Sequence, residues 1–106
     1  RARVLFVDYL TLLPPAGIPA PPIRDRDADL GRHIAQRLAE LTATAAAETG
    51  CESVGAAAAS VDHHGWSSDP WVTAFHLPLP GRVAPLHPNA AGMRAVAELV
   101  IEAVNS

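Results

Sequence analysis

A continuous apolar run near the start of the chain restricts the possible folds most. Residues 4–10 read VLFVDYL, which is apolar except for one acid. A strand covered on one face alternates apolar and polar residues, whereas a strand covered on both faces is apolar almost throughout. We therefore predict a strand here with other elements packed on both faces. This favours an α/β fold with a parallel sheet.

Two amphipathic segments supply the helices. The first is predicted over about residues 28–49, with Asp27 or Asp29 as its cap and Gly50 as its left-handed end. Its apolar positions are Leu30, Ile34, Leu38, Leu41 and Ala45. The second is predicted over about residues 89–104. Its apolar stripe consists of Met93, Val96, Ala97, Val100, Ile101 and Val104.

The segments between the helices are less regular. Residues 51–59, CESVGAAAA, predict a short strand that leads into a loop, and residues 60–88 show no periodicity. Long loops in small domains are usually functional or disordered, and the two tryptophans here favour an ordered one. Two strands and two helices leave exposed sheet edges. We therefore expect the chain to be part of a larger α/β fold.

Composition argues against several classes of partner. Charged residues make up 18% of the 106 residues and the formal net charge is −3, so a nucleic-acid or anionic-membrane surface is not indicated. Cys51 is the single cysteine, which rules out an internal disulfide. No apolar run approaches the roughly 20 residues that a membrane-spanning helix needs.

The segment PLHPNAAGM, residues 85–93, holds the most distinctive candidate residue. His87 precedes a proline, which disfavours helical backbone at the histidine. Pro88 and Asn89 suit the first turn and the cap of a helix. The positive end of that helix would disfavour imidazolium and keep the neutral base available. His87 is thus either a general base or a residue that caps or packs at the helix start.

Several segments together resemble one enzyme family. LHPNAAGMRAVAELV, from residue 86, resembles the last block of the SGNH (GDSL-type) esterase and lipase family, in which a catalytic histidine followed by Pro-Asn opens the final helix. AAASVDHHGWSSDPWV, residues 57–72, resembles the alanine-rich, Gly-His and Pro-Trp-Val stretch of actinobacterial members. ARVLFVDYLTLLPP, residues 2–15, is similar to a strand and proline-rich turn from the middle of these enzymes.

The resemblance implies a fold and an activity. Residues 1–106 would be the C-terminal part of a single SGNH domain, a three-layer α/β/α sandwich with a parallel sheet. The full enzyme would hydrolyse carboxylic esters or lipids without a metal or cofactor, and it would be secreted or held in the cell envelope. His87 would act as general base on a serine and then as general acid to the leaving alcohol.

The chain also departs from the family pattern. The nucleophilic serine of the family lies in an N-terminal Gly-Asp-Ser motif, and its oxyanion donors are a glycine and an asparagine further along. Residues 1–106 contain none of these motifs. We therefore expect the isolated chain to be inactive and to need an N-terminal half that carries the serine. The alternative is a non-catalytic small α/β domain that binds or complements another protein.

The partner of the His87 imidazole is a second departure. Many relatives carry an aspartate three residues before the histidine, where this chain has Ala84. Some actinobacterial members use a Ser-His dyad in which a main-chain carbonyl orients the imidazole. We therefore predict the Ala84 carbonyl as the partner, with the Asp69 carboxylate as the alternative; either acceptor would fix the tautomer.

Other polar and aromatic residues of the long loop carry weaker predictions. Trp71 and Phe75 would line an acyl pocket or, alternatively, pack the loop onto the sheet. Asp62, His63 and His64 suggest a metal site at first sight. Adjacent histidines point in different directions, however, and no further ligand spacing supports one. We therefore predict a polar loop and no metal site.

Overall fold

The computed structural model describes residues 2–76 and 80–106, which form two parallel strands and three helices. Strand β1, Leu5–Val7, pairs in parallel with strand β2, Glu52–Val54. The helices are α1, Asp25–Glu48, the single turn α2, Ala56–Ala59, and α3, Ala90–Val104. The predicted α/β class with a parallel sheet is confirmed.

Strand β1 is shorter and less covered than the apolar run predicts. Pairing ends at Asp8, whose N–H donates to the Val54 carbonyl and whose carboxylate accepts the N–H of Ala57. Val4 and Val7 are 51% and 41% exposed, so the prediction of a strand covered on both faces is wrong for this chain. Since β2 is its one paired neighbour among the described residues, the other edge of β1 remains open.

Helix α1 begins earlier than predicted and ends where expected. Arg24 occupies the cap position without a side-chain hydrogen bond. Asp27 lies in the first turn, where a carboxylate stabilises the positive end of the helix, and Asp29 lies inside the helix. The prediction that one of them caps the helix is therefore wrong. Gly50 follows the last turn with φ +69°, which confirms the left-handed end.

The apolar stripe of α1 does not face the sheet. Ala28 and Ala46 are the residues that the helix buries. Leu30, Ile34, Leu38 and Leu41 are between 47% and 59% exposed. Small side chains let a helix approach two short strands closely, and the larger apolar side chains of this helix are left about half exposed. We call these four side chains the leucine stripe.

The core lies between the strand ends and α3. Leu10, Ala56 and Val72 form the buried cluster, and Leu12, Trp71, Leu86, Val96 and Leu99 pack against it. Of the predicted α3 stripe, Val96 and Val100 are half-buried, whereas Met93, Ile101 and Val104 are more than half exposed. The predicted bounds of α3 agree with the structure to within one residue.

One arginine connects both strands with the end of α3. The Arg3 guanidinium donates to both carboxylate oxygens of Glu52, at 2.8 and 2.6 Å, and to the carbonyls of Ala103 and Val104, each at 2.8 Å. The hydrogen bond from Arg3 lowers the pKa of Glu52 below its usual value. This ion pair therefore fixes the C-terminal end of α3 against the sheet.

The molecule exposes more surface than a self-contained monomer of its size. Its accessible area is 7215 Å², compared with about 5,700 Å² expected for a folded monomer of this mass. The radius of gyration is 14.9 Å, against about 13 Å expected for this length. None of the described helices combines the length and the apolar character needed to cross a membrane.

Candidate functional site

Two short extended segments hold the main chain of His87 immediately before α3. The N–H of Thr73 donates to the His87 carbonyl at 2.7 Å, and the N–H of Leu86 donates to the Thr73 carbonyl at 3.0 Å. One step further, the N–H of Asn89 donates to the Trp71 carbonyl at 3.0 Å. These bonds form a small antiparallel ladder that fixes where the chain enters the helix.

The side chain of Thr73 adds two more bonds at the same place. Its hydroxyl accepts the N–H of His87 at 3.0 Å and donates to the Ala84 carbonyl at 2.6 Å. The predicted partners Ala84 and His87 are therefore connected through Thr73. Among the described residues, none makes a hydrogen bond to the His87 imidazole, and the Ala84 carbonyl is bonded to the hydroxyl instead.

Leu86, directly before His87, has an unusual backbone. Its φ is +57°, a region that costs a non-glycine residue about 1–2 kcal/mol. Its side chain packs on the buried cluster and over Gly65, where an added Cβ would lie 2.6 Å from the Leu86 Cδ2. Burial of the leucine thus offsets the strain, while the next side chain, that of His87, is exposed.

The residues on either side of His87 line two cavities. Leu86 lines an open cavity of about 890 Å³ between α1 and the segment that follows β1. Pro88 lines a smaller cavity of about 270 Å³ at the start of α3. The larger cavity is walled mainly by apolar side chains, among them Leu12, Leu13, Ile23, Ile34 and Leu38. The His87 side chain itself is exposed and lines neither of these two cavities.

Asp8 and Tyr9 belong to this region, although the motif analysis did not single them out. Both line the two cavities, and they follow directly from the carboxyl end of β1. Ligands of open parallel sheets bind outside this end of the strands. The sequence signal was available, since Asp8 is the single acid in an apolar run. The Asp8 carboxylate, however, also holds the start of α2 by accepting the Ala57 N–H at 2.9 Å.

Asp69 is directed toward a different histidine. Its carboxylate lies 3.4 Å from the Nδ1 of His63, and its carbonyl lies 2.7 Å from the same nitrogen. The His63 ring stacks on Trp71 with centroids 3.9 Å apart and an angle of 4°. The structure therefore groups Asp69, His63 and Trp71, and it does not bring Asp69 to His87.

The two aromatic residues proposed for an acyl pocket make packing contacts. Within the described part of the chain, neither Trp71 nor Phe75 lines either cavity. Phe75 stacks on Trp66 at a centroid distance of 5.9 Å, and the Trp66 indole N–H donates to the Pro21 carbonyl at 2.8 Å. Phe75 thus contacts another ring of the loop, and Trp71 packs against the buried cluster. The larger cavity is lined mainly by aliphatic residues, and Tyr9 is the aromatic residue in its lining.

The adjacent histidines face different surroundings. The Nδ1 of His64 accepts the main-chain N–H of Trp66 at 3.2 Å, away from the His63 contact with Asp69. Burial lowers the pKa of His64 because it disfavours the charged ring, and the Asp62 carboxylate opposes this effect. Within residues 2–76 and 80–106, no three His, Cys, Asp or Glu side chains are grouped so that they could hold a metal ion.

No model of a known protein family and no curated protein sequence matches this chain.

Proposed function

We propose that this chain is the C-terminal part of a serine ester hydrolase with the three-layer α/β/α SGNH fold, in which His87 is the general base. The observation that carries the proposal is the setting of His87. Its main chain is held at the entrance to α3, its imidazole is exposed, and residues on both sides of it line apolar cavities. A serine from another segment can reach such an imidazole.

The chemistry follows from a neutral imidazole. As the serine oxygen attacks the ester carbonyl, His87 accepts the serine proton, and it then donates that proton to the leaving alcohol. Water attacks the acyl-enzyme by the same route, with His87 again taking and returning one proton. The mechanism uses no metal or cofactor.

In a Ser-His dyad, an acceptor for the second ring nitrogen of His87 orients the imidazole. We assign this role to the Ala84 carbonyl, which has two lone pairs, only one of which is needed for the Thr73 hydroxyl. The neutral carbonyl stabilises an imidazolium less than a carboxylate does. Because the Asp69 carboxylate already contacts His63, it is the weaker candidate for this partner.

Exposed apolar surface supports the proposal of a missing N-terminal half. The leucine stripe, the open edge of β1 and one side of α3 are all uncovered among the described residues. The surface in excess of a monomer, about 1,500 Å², is comparable to one partner's share of a large permanent interface. In a three-layer sandwich this surface would contact the strands and helices of the half that carries the serine.

The larger cavity supports esters with apolar acyl groups as the substrate class. Its lining includes Ile34 and Leu38 of the leucine stripe and also Leu86, the residue next to the proposed base. Apolar walls favour aliphatic groups, since each buried methylene contributes about 0.8 kcal/mol. The hydrolysed bond would lie at the His87 end of the cavity.

A serine-directed fluorophosphonate probe tests the proposed function. We expect the full-length protein to be labelled, this 106-residue chain to remain unlabelled, and substitution of the Gly-Asp-Ser serine to abolish labelling. An unlabelled full-length protein that shows no ester hydrolysis would contradict the proposal. It would instead favour the non-catalytic binding or complementing domain.

A further inference from the structure

We propose that Thr73 is the positioning residue for His87, and this inference rests on the proposed function of that histidine. The Thr73 hydroxyl lies between the Ala84 carbonyl, which is the proposed partner of the imidazole, and the main chain of His87. It touches no reacting atom. Its role is to hold the imidazole where a serine can meet it.

The direction of both hydrogen bonds is fixed by their partners. The Ala84 carbonyl can only accept, so the Thr73 O–H must donate to it, at 2.6 Å. The His87 N–H can only donate, so a lone pair of the same oxygen accepts it, at 3.0 Å. Because the β-branched side chain has few rotamers, the hydroxyl is held in a single orientation with both partners satisfied.

The backbone between the two partners explains why such a restraint is needed. Leu86 lies between them with φ +57°, a conformation that a leucine adopts only where its surroundings impose it. Thr73 contacts both sides of this residue through its hydroxyl, and its main chain bonds to Leu86 and His87. Removing the hydroxyl would therefore loosen the segment that carries His87.

Helix α3 has its own attachment, which separates the two effects. The Asn89 side chain accepts the Gly92 N–H and donates to the Pro70 carbonyl, each at 2.8 Å. Loss of the Thr73 hydroxyl leaves these bonds in place. Because Ala84 and His87 are exposed, water can bond to their freed groups, and valine suits an extended segment. The Thr73→Val chain should therefore fold.

Amide hydrogen exchange of this chain, followed by NMR, tests the restraint without any need for activity. In Thr73→Val and in Thr73→Ala we expect the His87 amide to exchange about tenfold faster, the effect of one or two lost hydrogen bonds. The amides of Asn89 and Met93 report on α3, and their exchange rates should stay within about twofold of those in the original chain. The exchange rate of the His87 amide in Thr73→Ser should also stay within about twofold. An unchanged exchange rate of the His87 amide in both variants would overturn the proposal. An equally large increase of that rate in Thr73→Ser would also overturn it.

Ester hydrolysis by the full-length protein tests the functional half of the inference. We expect Thr73→Val to lower kcat about tenfold or more with KM changed less than about threefold, and Thr73→Ser to restore most of kcat. An unchanged kcat in Thr73→Val would overturn the inference. If the protein hydrolyses no ester, the proposed function fails and so does the positioning role, whereas the exchange data still show separately whether the restraint exists.

Discussion

Single residues decide how closely segments approach around His87. Gly92 is buried in the first turns of α3, and a Cβ placed on it would lie 2.1 Å from the Trp71 carbonyl oxygen. Backbone cannot yield to such an overlap as a flexible side chain can. The contact between α3 and the segment that fixes His87 therefore requires glycine at this position.

The first prediction follows from this contact. Gly92→Ala should lower the free energy of unfolding by about 1–3 kcal/mol, since the helix must move away from Trp71. Chemical denaturation measures this cost. Gly55→Ala is the matched control, because nothing lies within 4 Å of its added Cβ; its effect should stay within about 0.5 kcal/mol. Equal stabilities of the two variants would contradict the contact.

A second prediction at this scale concerns pH. Burial holds the pKa of His64 below its ordinary value, so the unfolded chain binds the proton more readily than the folded chain. The contribution of His64 to the stability of the folded state is therefore fully present above the pKa of the unfolded chain. It is lost as the pH falls toward the lower pKa of the folded chain. Between about pH 7 and pH 5 the free energy of unfolding should fall less in His64→Gln than in the original chain.

Urea denaturation at the two pH values tests the assignment to His64. Exposed His33 on α1 provides the control, and His33→Gln should keep the pH dependence of the original chain. An identical pH dependence in the His64 and His33 variants would show that another group is responsible.

At the scale of elements, α3 depends on its first residues. The Asn89 side chain caps the helix by accepting the Gly92 N–H and connects it to the loop by donating to the Pro70 carbonyl. A cap contributes about 1 kcal/mol, and a second hydrogen bond adds a similar amount. Asn89 therefore links the helix to the loop that positions His87.

The third prediction separates these two bonds. Asn89→Ala should lower the free energy of unfolding by about 1–2 kcal/mol, and Asn89→Ser should cost less, because its hydroxyl keeps the cap acceptor and loses only the bond to Pro70. Thermal or chemical denaturation measures both variants. Asn105→Ala, at the exposed far end of the same helix, is the control. If Asn89→Ala were no more costly than this control, the cap would be unimportant.

The elements also show what could be predicted from the sequence. The start of α3 and the non-helical setting of His87 are encoded locally, by Pro88 and Asn89, and both appear in the structure. The length of β1, the side on which α1 packs and the pairing of Asp69 with His63 depend on segments distant along the chain. Local patterns do not contain that information.

At the scale of the whole molecule, the main feature is uncovered apolar surface. The leucine stripe follows one side of a helix of 24 residues, and none of its side chains is buried. Exposed apolar surface of this extent indicates an interaction site. We propose that the leucine stripe contacts the N-terminal half of the same protein.

The fourth prediction compares two forms of the protein. Leu30→Glu should change the free energy of unfolding of this chain by less than about 0.5 kcal/mol, because Leu30 is 58% exposed and lines neither cavity. In the full-length protein the same change should cost about 2 kcal/mol or more, because a charge would be buried. Ala43→Glu, exposed on another side of α1, should have little effect in either form. Equal costs of Leu30→Glu in both forms would contradict the assignment.

The rate of ester hydrolysis by the full-length His87→Ala protein shows whether His87 is the general base. We expect His87→Ala to lower kcat/KM by about a thousandfold, because the substitution removes the group that acts as general base and general acid. His33→Ala, a substitution of an exposed histidine on α1, should leave kcat/KM within about twofold. If His87→Ala retained kcat/KM within about threefold of the original protein, His87 would not be the general base.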